Sequence, residues 1–515
     1  MGHRGRGRGP LWALAVVAAA GAALRVAPIL AYGRYGSRPD YDDGVNFAAA
    51  TLLTGGTLPY RDFFYAHPPG GLLALAPFGL LGRWMDPGRA FTVAGLAVVA
   101  VAALTTFLLG RLCWRTWGPA AGLVAAAAYA VHPEVVVAER TTFMEPVLNL
   151  ACIGLATLWL DQPTPSRRRA LAAGALAGAA VTLKLWGVPW VVAALVAVPR
   201  DSDDRRAALA RFSAAAAGVV ALVTLPFALP ALGGFVDGVL RFHLWRPPDG
   251  TLSVSGRVHE LLGFVPDNWR VRDGRHAGTA LLAVGGAAVA AWRARRAAAR
   301  PERFFLAAFV LVAAVFLSGR SYYTHYNAHL GLAESALAGT FAGALWDVAG
   351  RLPVVRRAAQ AVLAALLLVA PWLSLREARE DARMRSPELV DLGSAVRALP
   401  ADACVLPFEP TWGFAGGRLP STPDRGPVVI DPYGVMIFDA VEGGSRFDGL
   451  GALFADDRSQ RRITEAMAGC RFVVVGGRGE FQLSEGTKAW LRQHFVRLEG
   501  AGDIWERVGS PPPPT

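Results

Sequence analysis

The chain has 515 residues, of which 53% are hydrophobic and only 18% charged, with a mean hydropathy of +0.34. A soluble globular protein carries roughly a quarter charged residues, so the composition excludes an ordinary soluble enzyme, and its apolar content excludes a disordered chain. The net charge of +12 is almost wholly arginine, with Lys184 and Lys488 the only lysines, and four cysteines are too few for a disulfide scaffold.

Basic residues stand in short runs between apolar stretches rather than together on a soluble face, which reads as membrane topology and not as nucleic-acid binding. A bilayer requires about 20 apolar residues per helix. About eleven such runs occur, near 11–32, 89–110, 117–132, 142–160, 170–184, 186–199, 212–231, 276–292, 304–319, 327–346 and 357–375. The pair 170–184 and 186–199 is split by Trp186-Gly187 and reads as a tight hairpin or one broken helix. The first run starts basic and reaches small residues near Ala19 to Ala23, as a cleavable signal does, but continues past Arg25 to Tyr32, long enough to span.

Arginine sets the orientation, because short loops rich in Lys and Arg stay in the cytoplasm. With Arg4, Arg6 and Arg8 inside, alternation puts Arg111 and Arg115, Arg167 to Arg169, Arg205, Arg206 and Arg211 on the same side. Arg293, Arg295, Arg296, Arg351, Arg356 and Arg357 follow them. The expected localisation is a multi-pass plasma-membrane protein with a cytoplasmic N-terminus. Segments 33–88, 133–141, 232–275, 320–326 and the tail from about 377 face outward.

From about 377 charges become frequent and apolar runs shorten to strand length. Helix-like 386–399 precedes a short run at Cys404 to Pro407; helix-like 456–467 leads into Arg471 to Val475; and 487–495 precedes a last strand near 503–508. The fold class is therefore a polytopic α-helical membrane protein with an extracytoplasmic α/β domain over 377–510 and a disordered tail at 511–515. Cys404 and Cys470 each open a predicted strand on the oxidising side, which makes them a disulfide candidate. Cys113 and Cys152 fall in the membrane helices and read as small apolar fillers.

The first outer loop is too long for a connector. It carries Asp40, Asp42 and Asp43 just after the first helix, then Pro59-Tyr-Arg61-Asp62 and His67-Pro-Pro69. Clustered carboxylates at that depth serve as a general base, bind a divalent metal or hold a sugar hydroxyl; the plain alternative is a helix cap before Val45. Residues 45–54 and 71–82 are too short to span and read as interfacial helices roofing a membrane cavity, with Arg61, Asp62 and His67 placed to grip a phosphate. In the second outer loop Glu139, Arg140 and Glu145 stand at the mouth of a helix, as a site or as a Glu145–Arg140 ion pair. Lys184, beside Trp186 and Trp190, is a phosphate clamp or a snorkelling lysine. His243 and Arg246 in 241–248, and Tyr323 and His325 in 320–327, place basic and aromatic groups at the same surface, as sites or as an aromatic belt. No zinc-type Cys/His spacing, Walker A loop, dinucleotide glycine fingerprint or Gly-x-Ser-x-Gly elbow occurs.

Taken in order, these features resemble the GT-C superfamily of membrane glycosyltransferases. The nearer likeness is to its lipid-carrier branch, with the protein mannosyltransferase and aminoarabinose transferase relatives. The resemblance rests on Asp40 to Asp43 after the first helix, Leu58-Pro-Tyr-Arg-Asp-Phe followed by His67-Pro-Pro, Glu139-Arg140 to Glu145-Pro146, Gly174 to Gly178 leading to Lys184, and Tyr322-Tyr-Thr-His-Tyr326. It implies inverting transfer of a hexose or pentose from a polyprenyl-phosphate donor to a glycan, lipid or protein acceptor. The base maps to Asp42 or Asp43. Aminoarabinose-transferase-like members have Lys where this chain has His67, which leaves Lys184, Arg61, Arg140 and Arg246 as candidate phosphate clamps. A divalent metal, used by some members, would fall to Asp43 with His67 or His243. From the residues alone, a transporter, a lipid flippase or a non-catalytic envelope-assembly subunit fits as well.

Overall fold

The computed structural model describes residues 11–32, 41–349 and 387–509, apart from 163, 199–204, 250–251, 297–298, 424, 443, 445 and 500–501, with scattered positions between 354 and 376. Asp40, most of the expected span 357–375 and the Pro511 to Pro514 tail lie outside the described residues.

The Ala-, Val- and Leu-rich runs form helices where expected, with boundaries set by Gly and Pro. They are α1 (Trp12–Tyr32), α2 (Tyr41–Thr54), α3 (Gly70–Leu81), α4 (Pro87–Trp117), α5 (Pro119–Val131), α6 (Pro133–Ala138), α7 (Met144–Leu160), α8 (Arg167–Leu183) and α9 (Val188–Val196). After them come α10 (Arg205–Ala228), α11 (Leu232–Val236), α12 (Phe242–Trp245), α13 (Val254–Leu261), α14 (Gly274–Arg293), α15 (Arg300–Ser318) and α16 (Asn327–Ala349). Among the described residues, four stretches are long and apolar enough to cross a bilayer, namely Trp12–Leu30, Pro87–Trp117, Arg205–Trp245 and Arg300–Ser318, with shorter apolar helices between them.

The expected break after residue 110 falls instead at Gly118, whose φ of 97° is open to glycine alone, followed by Pro119 at the first position of α5. The expected outer loop from 232 starts late, because the helix continues through a 3-10 turn at Leu229–Ala231 and a π turn at Asp237–Arg241 to Trp245. Pro226 and Pro230 remove backbone donors there, which accounts for the departure from regular α geometry. Close packing relies on small residues: a Cβ on Gly286 of α14 would collide with the Leu337 carbonyl of α16.

The expected cytoplasmic helix ends gather on one face. Arg115 and Arg169 both pair with Asp161, at 2.6 and 2.9 Å. Arg300 donates to the carbonyls of Trp159, Gln162 and Ala197.

Deeper in, a buried polar chain crosses the bundle. Arg25 Nε donates to Glu139 at 2.7 Å, Tyr129 donates to the same carboxylate, and Asn149 donates to Tyr129. The His329 Nδ1–H donates to Asn149, and Trp190 donates to His329 Nε2. Buried polar groups in a bundle persist when each finds a partner. This chain therefore assigns Glu139 to the scaffold.

The C-terminal residues form a four-stranded sheet in the order β1-β2-β4-β3, from β1 (Val405–Pro407), β2 (Phe472–Val474), β3 (Phe495–Arg497) and β4 (Ile504–Arg507). β1 and β2 are parallel, with Val405 opposite Phe472, and the other pairs are antiparallel. Helices α17 (Pro387–Ala398), α18 (Pro410–Ala415), α19 (Pro432–Val441), α20 (Leu450–Ala455), α21 (Asp457–Gly469), α22 (Gly476–Gln482) and α23 (Glu485–His494) surround it. Ile463 and Met467 of α21 pack with Val405, Phe472 and Val473 in one core, since the 3.6-residue spacing of α21 puts its apolar side on the sheet. Cys404 and Cys470, each just before a paired strand, form a disulfide with Cα atoms 4.8 Å apart.

Candidate active site

Between the helical bundle and the C-terminal unit lies a cavity of about 840 Å³. Its walls carry Lys184, Arg246, Arg320 and Arg478 against the acids Asp42, Asp249 and Asp431, with aromatic rings from Tyr41, Trp186, Tyr323, Tyr326 and Tyr433. A cavity of this size, apolar in wall and dotted with convergent charges, is the default binding site of a fold.

Asp42 and Asp43 do not sit in a loop, as the sequence reading has them, but in the first turn of α2, where a helix N-terminus favours negative charge. Adjacent residues on a helix point about 100° apart, and their environments diverge accordingly. Asp42 is exposed and faces the cavity. Asp43 is fully buried, its Oδ1 accepting from the Thr142 amide and the Thr142 hydroxyl, both at 2.6 Å. That carboxylate ties α2 to the turn before α7.

Lys184 ends α8 with extended backbone (φ −157°, ψ 143°), so its side chain leaves the helix toward the cavity. Its Nζ is 2.7 Å from Glu145 Oε1 and 3.6 Å from the centre of the Trp186 ring. Glu145 is thus paired with Lys184, not with Arg140 as the ion-pair reading expects, and stands behind the lysine rather than in the cavity wall. Arg140 is buried and Arg61 pairs with its neighbour Asp62 at 2.8 Å; none of Arg140, Arg61 and Asp62 faces the cavity.

The 246–249 loop and the 320–322 segment are joined by backbone bonds from Asp249 N to Arg320 O (3.1 Å) and from Tyr322 N to Asp249 O (3.2 Å). This pairing fixes Asp249, whose Oδ2 accepts from Arg246, Tyr323 and Tyr433. A second link joins the bundle to α19. Tyr41 donates to Asp431 at 2.7 Å and accepts from the Tyr433 amide at 3.1 Å. Asp431 caps α19 ahead of Pro432, and burial raises its carboxyl pKa above the ordinary value. The roof is therefore built by residues 431–434, 450, 478 and 481 of the C-terminal unit with 66–68 and the start of α2, rather than by the whole of 45–82.

His67 and His243 stack with ring centres 5.7 Å apart, and His243 Nε2 donates to the Ala66 carbonyl. Burial, aided by the charge of Lys184, holds the His67 imidazole neutral, with a pKa well below the usual value. Burial likewise lowers His325, against the opposing pull of Glu145 and Asp42. Asp43, with its carboxylate taken by Thr142, stands apart from this pair, and the three do not fit a metal. Among the described residues, the one group of three or more side chains with metal-ligating atoms in mutual reach is His132, His276 and Glu334, outside this cavity.

Of the sequence candidates, Asp42, His67, Lys184, His243, Arg246, Tyr323 and His325 thus meet in one cavity, whereas Asp43, Arg61, Asp62, Glu139, Arg140 and Glu145 do not line it. Sequence reading missed Tyr41, Asp249, Asp431 and Tyr433. Asp431 before Pro432 is a helix-start signal, but its partner Tyr41 lies 390 positions away.

Residues 64–320, just under half of the chain, match the pattern of Glycosyltransferase family 87. ArnT of Cupriavidus metallidurans, in a crystal structure bound to undecaprenyl phosphate, shares the fold with a TM-score of 0.59 at 15% identity, covering 96% of this chain and 99% of that one. The oligosaccharyltransferase AglB of Archaeoglobus fulgidus, in complex with an inhibitory peptide and a dolichol-phosphate, has a TM-score of 0.59 at 10% identity, covering 97% of this chain and 74% of that one. No curated protein matches the sequence. The chain thus shares the fold of ArnT and AglB, matches the family 87 pattern over residues 64–320, and carries apolar helices that make it a multi-pass membrane protein.

Proposed function

We propose that the protein transfers a hexose or pentose from a polyprenyl-phosphate carrier to an acceptor hydroxyl at the outer face of the membrane, with inversion and with Asp42 as the base. The observation that carries this reading is one cavity in which an exposed Asp42 shares walls with Lys184, Arg246 and Arg320. The lipid phosphates in the ArnT and AglB structures support the carrier class.

In the proposed step the Asp42 carboxylate takes the proton of the acceptor hydroxyl. The hydroxyl oxygen attacks the anomeric carbon on the face opposite the phosphate. The bond from that carbon to the phosphate oxygen breaks, and its electron pair stays on the phosphate, where Lys184 and Arg246 stabilise the added charge. Neutral His67 and His325 supply hydrogen bonds without competing for the phosphate charge. Glu145 and Asp249 hold the two cations in place as positioning residues. The arginine-rich helix ends face the cytoplasm, which puts the cavity on the outer side.

The test is transfer from a radiolabelled polyprenyl-phosphate sugar in proteoliposomes. Asp42→Asn is expected to bind the carrier as wild type does and to transfer sugar about 10²–10⁴-fold more slowly. Wild-type transfer by that variant removes the assigned base.

A further inference from the structure

Three buried side chains that the proposed reaction does not use converge outside the cavity. His132 lies at the junction of α5 and α6, His276 in the first turn of α14, and Glu334 two turns into α16, with 0%, 3% and 1% exposure. One ligand atom of each lies within 4.8 Å of the others. His132 Nε2 is 3.4 Å, and His276 Nε2 3.9 Å, from the same oxygen, Glu334 Oε2. Neither contact has hydrogen-bond geometry: both nitrogens and that oxygen are buried without a hydrogen-bond partner. Buried polar atoms are nearly always satisfied, so three unpartnered ligand atoms this close together ask for an explanation.

Two imidazoles and a carboxylate are a common zinc donor set, with a water in the fourth position. Zinc bonds of about 2.0–2.1 Å in tetrahedral geometry put ligand atoms about 3.3 Å apart. The 3.4 Å pair already has that spacing, and the 3.9 Å pair reaches it by a small side-chain rotation. The backbone around the ligands is well fixed. Asp273 caps α14 by accepting from the His276 amide, and Gly331, one turn before Glu334, faces the His132 ring without a Cβ to crowd it.

We propose that His132, His276 and Glu334 bind one divalent transition-metal ion of the zinc class, which joins α5, α14 and α16. Such an ion fixes the start of α16, and through it the Tyr323 to Tyr326 segment in the cavity wall. It shares no residue with Asp43, His67 and His243 or with the cavity wall, and does not depend on the proposed reaction.

The full-length protein, purified in detergent without chelator, is analysed for bound metal, then stripped by a chelator and titrated with Co²⁺ alone as a spectroscopic probe. The expected results are about one metal ion per chain, visible bands of four-coordinate Co²⁺, and a lower unfolding temperature after stripping that Zn²⁺ restores. Glu334→Gln keeps the shape and removes the charge, and is expected to weaken Co²⁺ binding at least ~10-fold. If it does not fold, His276→Gln makes the same measurement. Wild-type protein that carries no metal and develops no Co²⁺ bands overturns the proposal and leaves a packed His–Glu cluster. Bands that persist unchanged in the folded variant overturn it too, because the ion then binds elsewhere.

Discussion

Lys184 and Glu145 form the pair whose removal separates scaffold from site. Lys184 Nζ is 2.7 Å from Glu145 Oε1, with side-chain exposures of 12% and 2%. Lys184→Met alone leaves a buried carboxylate without its cation, which costs about 3–5 kcal/mol of stability, less whatever protonation of Glu145 recovers. Glu145→Gln alone leaves Lys184 partly exposed and lining the cavity, so its cost is smaller. The double variant removes both charges and returns stability to near wild type, since an apolar or neutral pair in place of a buried ion pair is close to neutral. Donor binding follows a different pattern. If Lys184 contacts the carrier phosphate, losing that partly desolvated charge pair costs about 2–4 kcal/mol, a ~30- to ~1000-fold weaker Kd, in both the single and the double variant. The assay pairs thermal unfolding in detergent with calorimetric titration of polyprenyl phosphate. Recovery of stability without recovery of binding is the expected signature. A double variant that is stable and binds polyprenyl phosphate as tightly as wild type refutes the clamp and reduces Lys184 to scaffold.

The adjacent acids provide a second contrast. Asp42→Asn is expected to lower sugar transfer by about 10²–10⁴-fold with an unchanged unfolding temperature. Asp43→Ala strands the buried Thr142 amide and hydroxyl and costs about 1–3 kcal/mol or more, read as a lower unfolding temperature; equal stability of the two variants contradicts the division of roles. Tyr323→Phe and Tyr433→Phe each remove a donor to the buried Asp249, at about 1 kcal/mol apiece and non-additively in the double variant, checked by a double-mutant cycle on unfolding temperature. Asp439 gives a pH effect. Burial pushes its carboxyl up to about 6 from an ordinary 3.8, so its ionised form costs the folded state about 3 kcal/mol. Because the folded value is the higher one, that cost is fully present above about pH 6 and vanishes as pH falls below about 4. Asp439→Asn is therefore expected to raise the unfolding temperature at neutral pH and to leave it unchanged in acid; the same gain at both pH values rules this out.

What the sequence made legible was local. Helix runs, the Pro and Gly breaks, the strand-like Arg471 to Val475 and the choice of Asp42, His67 and Lys184 as site candidates were all legible in the sequence. Partner choice was not legible, because it depends on packing between distant segments. Nothing near Glu139 signals that Arg25, 114 residues away, takes its carboxylate. The 100° turn between Asp42 and Asp43 separates a cavity acid from a buried tie only once the register of α2 against Thr142 is known. Tyr41 and Asp431 meet because the C-terminal unit folds back over the bundle, a contact that no short-range pattern encodes. The short strand β3 (Phe495–Arg497) merges in the sequence with the end of α23, since three residues are too few to establish a period of two.

The central claim is that the cavity between bundle and C-terminal unit receives a lipid-linked phosphate beside Asp42. The most direct measurement is a cryo-EM map of the full chain in nanodiscs supplied with polyprenyl phosphate. The account predicts phosphate density against Lys184 and Arg246, an isoprenoid tail leaving the cavity between the membrane helices, and Asp42 on the open side of the phosphate. An empty cavity at saturating carrier, or a carrier path running through to the arginine-rich face, contradicts it and points to a transporter or an assembly subunit.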